Sequence, residues 1–159
     1  MSTGPEVDLA RIRASLEHSG YEMRGATPRV WWFGNTPELV RELGELVRDG
    51  SKKASAGSLW LWEAEGEALP KVGEIQVVID WCSAPLAVVE ITDVRVVAFN
   101  KVDDAFAIEE GEGDCSLQWW REAHWEYFSS ELPQIGRLPS EDMPLVCTKF
   151  RLLHAVRAV

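Results

Sequence analysis

The sequence predicts an α+β fold, with a small β-barrel favoured over a doubly wound sheet. Two runs rich in β-branched residues, "EIQVVID" and "LAVVEITDVRVVAF", read as strands separated by the turn "WCSAP". Helical periodicity is strong in only two places, residues 36–50 and 116–132. Helices this few and this unevenly spaced do not build repeated βαβ units.

The elements follow in order. "PEVDLARIRASLEHSG" places Leu9, Ile12 and Leu16 at helical spacing and stops at Gly20. "YEMRGATPRV" is punctuated by Gly and Pro and reads as a connection, so residues 1–30 are expected to form an N-terminal helical extension. In "NTPELVRELGELVRDG", Thr36 caps, Pro37 suits the first turn and Gly50 suits the stop. Leu39, Val40, Leu43, Leu46 and Val47 give that helix one broad apolar stripe. "SLWLW" reads as a short aromatic strand with Trp60 and Trp62 on one side. "ALPKVGE" is a turn. "KVDDAFAIEEGEGD" opens with a short helix or turn and ends in a glycine-rich acidic loop. "SLQWWREAHWEYFSSEL" aligns Leu117, Trp120, His124 and Phe128 on one helical face, with Arg121 beside them. "MPLVCTKFRLLHAV" closes the chain as a strand.

Composition narrows the function. With 46% apolar residues in 159, the chain can bury a real core. No apolar run approaches the ~20 residues of a membrane helix, and "MSTGPEVDLARIR" lacks a signal-peptide core. A cytoplasmic protein without membrane partners is expected. Cys82, Cys115 and Cys147 are scattered, as are His18, His124 and His154, so neither a disulfide framework nor a zinc site is expected. No metal or other cofactor is anticipated. A net charge of −10 disfavours long duplex DNA, which is bound through its phosphates.

Two polar segments carry candidate chemistry. In "DGSKKASAGS", Lys52 and Lys53 stand beside hydroxyls in an acidic chain. A solvated lysine pair at a helix C-terminus accounts for them. So does a desolvated lysine that takes a proton from a hydroxyl or water. On an extended chain Lys53 and Ser55 are neighbours, whereas Lys52 and Ser55 meet only if the chain turns, as Gly50 permits. Glu110, Glu112 and Asp114 cluster in "EEGEGDC", where Asp114 or Ser116 is also placed to cap the next helix. Arg121 could pair with that loop or hold a phosphate, and His124 on an apolar face is the kind of histidine usually satisfied in a core.

The pieces "WWFGNTPELVRELGELVRDGSKKASAGSL", "LPKVGE", "AFAIEEGEGDCSLQWWREAHWEYF" and "DMPLVCTKFRLL", in this order, resemble an ASCH domain over 31–159, in the subgroup with "EGEGD" before "WREAHW". The resemblance implies a small PUA-like β-barrel with flanking helices and a cleft. It implies recognition of RNA or of a nucleoside or nucleotide, and includes members that cleave RNA or hydrolyse N4-acetylcytidine. Gly50, Lys52 and Ser55 match the family's Gly-x-Lys-x-x-Thr, with serine for threonine. By that resemblance Lys52 is the base, Ser55 the nucleophile or water-orienting group and one carboxylate of the acidic loop the proton shuttle, for which Glu112 is chosen with Glu110 and Asp114 close behind. Lys53, Ser58, Glu110, Asp114, Arg121 and His124 are expected to contact the ligand. A binding or interaction module without catalysis is the alternative. As a cleft residue, Lys52 is expected to be replaceable by alanine at little cost in stability.

The charge balance makes one prediction of its own. Random duplex DNA titrated by fluorescence anisotropy at physiological salt should show no submicromolar complex, and a salt-resistant one would contradict this reading.

Overall fold

The structure, a computed structural model, describes residues 4–26 and 28–157. Among the described residues, five strands form one mixed sheet in the order β1-β3-β4-β5-β2. They are β1 (Arg29–Trp31), β2 (Ala54–Ser58), β3 (Ile75–Ile79), β4 (Pro85–Ala98) and β5 (Pro144–Ala155). β1 runs parallel to β3, and the other neighbours are antiparallel. Among the described residues, five α-helices accompany it: α1 (Leu9–His18), α2 (Pro37–Asp49), α3 (Leu59–Glu65), α4 (Asp104–Glu110) and α5 (Leu117–Glu131).

The sheet does not close. β1 and β2 are its two edges, and no ladder joins them among the described residues, so the expected barrel is corrected to an open, bent sheet. The bend lies in β4, whose register against β5 shifts between Val88 and Val89 and again between Ile91 and Asp93. Such bulges sharpen local twist and re-aim a strand.

Alternation along the strands divides the core. Val77, Ile79 and Val88 face α1 and bury Ile12 and Leu16 completely. Val78, Ala87 and Val89 point the other way, onto Phe33, Leu43 and Val47 of the α2 side. A third cluster joins Phe106 and Ala107 of α4, Trp120 and Phe128 of α5, and Leu145 and Cys147 of β5. Helix ends follow local chemistry. Thr36 accepts from the Leu39 amide, Pro37 opens α2 and Gly50 ends it at φ 87°.

"SLWLW" is helix, not strand. Ser58 ends β2 and its Oγ caps α3 by accepting from the Leu61 amide, while Gly66 in the left-handed region stops the helix after seven residues. The cap and the stop outweigh the β preference of the aromatics. Trp60 packs beside the α5 cluster, and Trp62 stacks on Trp31 with ring centroids 5.1 Å apart.

The glycine that ends α4 holds the acidic loop against the segment after α2. Gly111 has φ 70°, and a Cβ there would lie 2.2 Å from the Ser51 carbonyl oxygen. One residue pair away, the Lys53 amide donates to the Glu109 carbonyl at 2.7 Å. Gly136 has a similar φ of 72° with open space around its Cβ position. Gly136→Ala should therefore cost about 1 kcal/mol for the left-handed backbone alone. Gly111→Ala should cost about 3 kcal/mol, because the neighbouring backbone must also move. Urea unfolding of the two variants checks the difference, and equal losses would mean that the loop is not clamped there.

Candidate functional site

The site is built where three elements end. α2 delivers Lys52, because Gly50 turns the chain and the Lys52 amide returns to the Leu46 carbonyl at 3.0 Å. β2 delivers Ser55 and Ser58. α4 ends on Glu110, and the following loop brings Glu112. The turn at Gly50, rather than an extended run, places Lys52 beside the cavity that Ser55 lines and leaves Lys53 exposed outside it.

Lys52 is the centre of the polar cluster. It is only 2% exposed, which overturns the expectation of a cleft lysine with little structural weight. Its Nζ donates to Glu112 Oε2 at 2.7 Å and to the Ala54 carbonyl at 2.8 Å, and lies 3.9 Å from Glu110 Oε1. The same ammonium sits 5.2 Å from the centroid of Phe33. Glu110 is 1% exposed. Its Oε2 accepts from Trp120 Nε1 at 2.8 Å and faces His124 Nε2 at 2.9 Å, while Oε1 has no hydrogen-bond partner. His124 Nδ1 is 2.8 Å from the Trp120 carbonyl, and its ring stacks on the Trp120 indole.

The electrostatics separate the two carboxylates. Burial pushes the Glu110 carboxyl up, but the charges of Lys52 and His124 outweigh it and hold it at about 2. Burial also acts on Glu112, and there it prevails over Lys52, with the Glu110 charge adding to it, so this carboxyl is raised. For His124, burial works against the charged ring, yet Glu110 overcomes it and the net shift is upward.

A cavity of about 590 Å³ opens onto this cluster. Lys52, Ser55, Ser58, Glu110, Glu112 and His124 all line it, whereas Lys53, Asp114 and Arg121 do not. Asp114 is exposed and accepts from the Ser116 amide, and Ser116 is the residue that caps α5. Arg121 is exposed and reaches the Val102 carbonyl at 3.5 Å. Trp31, Trp62, Trp119 and Tyr127 supply aromatic walls that sequence reasoning did not single out as a group. Arg29 was missed altogether. It donates to Glu67 at 3.1 Å and to the Ala68 carbonyl at 2.9 Å, and lies 5.2 Å from the centroids of both Trp31 and Trp62. Its neighbours in sequence carry no signal for this, since the partners are nearly forty residues away.

Arg29 and Lys52 are the lysine and arginine residues of the lining, and both are committed to glutamates. Glu65, Glu67 and Glu131 add further negative charge. Glu110, Glu112 and His124 each bring one donor atom within 4.8 Å of the others, a spacing that would suit a metal ion. The Lys52 ammonium already provides the cation between the two carboxylates, so the cluster is balanced without one.

An open mixed sheet with a buried lysine–carboxylate cluster beside an aromatic-lined cavity defines a small domain of the α+β class. The ASCH domain model matches residues 29–154, and the chain belongs to that family. It is similar to the crystal structure of an ASCH domain from Lactobacillus crispatus JV V101, with 34% identity and a TM-score of 0.81, over 94% of this chain and 96% of that one. It is also similar to a protein of Enterococcus faecalis V583, with 33% identity and a TM-score of 0.80, over 94% and 91% of the two chains. No curated protein matches it. No helix among the described residues is long and apolar enough to cross a membrane.

The burial of Lys52 sets a stability prediction. Lys52→Met keeps the packing volume but strands the Glu112 carboxylate and leaves Glu110 to His124 alone, and breaking a buried pair in this way costs about 3–5 kcal/mol. The deficit should be full at pH 7 and shrink toward pH 5, where carboxylates deprived of their cation take up protons. Arg121→Ala, at an exposed position, should stay within about 0.5 kcal/mol. Denaturant titrations at the two pH values decide between this and a lysine that carries no structural load.

Proposed function

We propose that the cavity takes an uncharged, nucleoside-sized molecule and that the domain hydrolyses an acyl amide on it, with N4-acetylcytidine as the reference substrate. The observation that carries this is the Lys52–Glu112 contact of 2.7 Å at the floor of a cavity that Ser55 also lines. The volume of about 590 Å³ falls within the range of small-molecule sites, and the aromatic walls suit a flat base. Five glutamates in the lining against two committed cations argue for a nucleoside over an RNA strand, whose phosphates need free positive charge. Ribonuclease activity is the weaker form of the same reading for that reason.

The chemistry follows from the pair. A buried ammonium and carboxylate in contact can exchange one proton, from Nζ to Oε2, to give a neutral amine and a carboxylic acid. The raised proton affinity of Glu112 favours this step. The amine then takes the proton of Ser55 Oγ, or of a water that Ser55 orients, as oxygen attacks the acyl carbon. Glu112 delivers its proton to the departing nitrogen as the C–N bond breaks. Lys52 ends as ammonium and Glu112 as carboxylate, so the pair is reset. Where Ser55 Oγ was the nucleophile, a second round with water in its place hydrolyses the acyl-serine ester to acetate, and Glu112 returns the proton to Oγ.

Incubation with N4-acetylcytidine, followed by chromatography for cytidine and acetate, tests the reaction. Ser55→Ala and Glu112→Gln should each lower kcat by at least about 100-fold. Lys53→Ala, outside the cavity, should change it little. Undiminished turnover in Glu112→Gln would remove the proposed shuttle. Tight nucleoside binding without turnover in the native protein would identify a binding module instead.

A further inference from the structure

The hydrogen bonds around His124 fix a proton count. Nδ1 lies 2.8 Å from the Trp120 carbonyl, which only accepts, so Nδ1 carries hydrogen. Nε2 lies 2.9 Å from Glu110 Oε2, and one hydrogen must stand between them. That hydrogen belongs to the pair, whichever atom it sits nearer. Glu110 and His124 together are therefore neutral while they hold it. Oε2 is fixed by this contact and by the Trp120 indole N–H at 2.8 Å, and the unpartnered Oε1 is left facing Lys52 Nζ at 3.9 Å.

We propose that Glu110 and His124 are a positioning pair whose shared proton keeps Glu110 from capturing the Lys52 ammonium, so that Lys52 exchanges its proton with Glu112 alone. When the shared proton leaves, a bare carboxylate stands 3.9 Å from Nζ. The ammonium is then held by two anions and gives up its proton less readily. The bond that fails to break is Nζ–H, and the bond that fails to form is O–H on Glu112. The titratable and charged groups around the pair are Lys52 from the segment after α2, Glu112 from the loop after α4, and Cys147 on β5. Burial pushes the Cys147 thiol up to about 12, so it stays neutral. Tyr127, one turn along α5, is directed to Glu131 and is also raised by burial, so it too stays neutral.

The catalytic half of this inference rests on the hydrolase reading above, and the proton count does not. In protein labelled with ¹⁵N-histidine, long-range ¹H–¹⁵N spectra from pH 5 to 9 should show a proton at both ring nitrogens of His124 at pH 7. It should be lost only above the ordinary histidine value of about 6.5. Glu110→Gln should bring that loss to lower pH. A His124 that is singly protonated, without a shared proton, at pH 6.5 in the native protein would overturn the proposal, as would an unchanged titration in Glu110→Gln. If acyl-amide hydrolysis is seen, His124→Gln should lower kcat at least about tenfold with KM within about twofold, and abolish the alkaline fall in the pH profile. A lower melting temperature with the alkaline fall intact would show a structural role only, and overturn it. An absence of turnover in the native protein would sink the hydrolase reading, and the spectra would still decide the shared proton.

Discussion

One buried ammonium organises this molecule. A charge that is 2% exposed has to be matched where it sits, and Lys52 is matched by a carbonyl of its own segment and by carboxylates 58 and 60 residues further on. That requirement explains why α4 is short, why it ends on a glycine in the left-handed region, and why its last turn lies against Ser51 and Lys53. The aromatic packing serves the same end. Trp120 is buried in the α5 cluster, yet its one polar atom is spent on Glu110. An indole that packs with one side and donates with the other lets a charged group lie beside an apolar core.

Much of the frame was legible because it rests on local chemistry. Thr36, Pro37 and Gly50 bound α2 where propensity and capping place it, and the two long β-branched runs are the central strands β3 and β4. "SLWLW" misled because aromatic content was weighed above Ser58 and Gly66, which start and stop a helix across it. Closure of the sheet was not legible at all. Whether β1 meets β2 depends on the bend of β4 and on the α2 helix between them in sequence, and no short pattern encodes either.

The candidate site was legible in part. Lys52 and Ser55, singled out by a motif, and Glu112, one of three acids weighed in the loop, line one cavity. The burial of Lys52 was hidden because its compensation is non-local, while composition describes lysine by its usual place in water. Glu110 and His124 were expected to touch the ligand, and they line the cavity while also binding each other. A helix face that reads Trp120, His124, Phe128 signals burial, but nothing in it reveals that a glutamate fourteen residues earlier will meet the ring.

The sheet order has a consequence for how the cavity comes into being. Among the described residues β2 pairs only with β5, and Ser55 stands opposite Thr148, ninety-three residues later. The strand that carries Ser55 therefore has no ladder until the last strand is in place. Contacts so distant along the chain form late, since the loop between them must first be closed. During synthesis, Lys52 and Ser55 leave the ribosome early and wait, with the site unassembled, until residues near 150 have followed. A nascent chain halted before β5 would own every proposed reactive group and no place for them to meet.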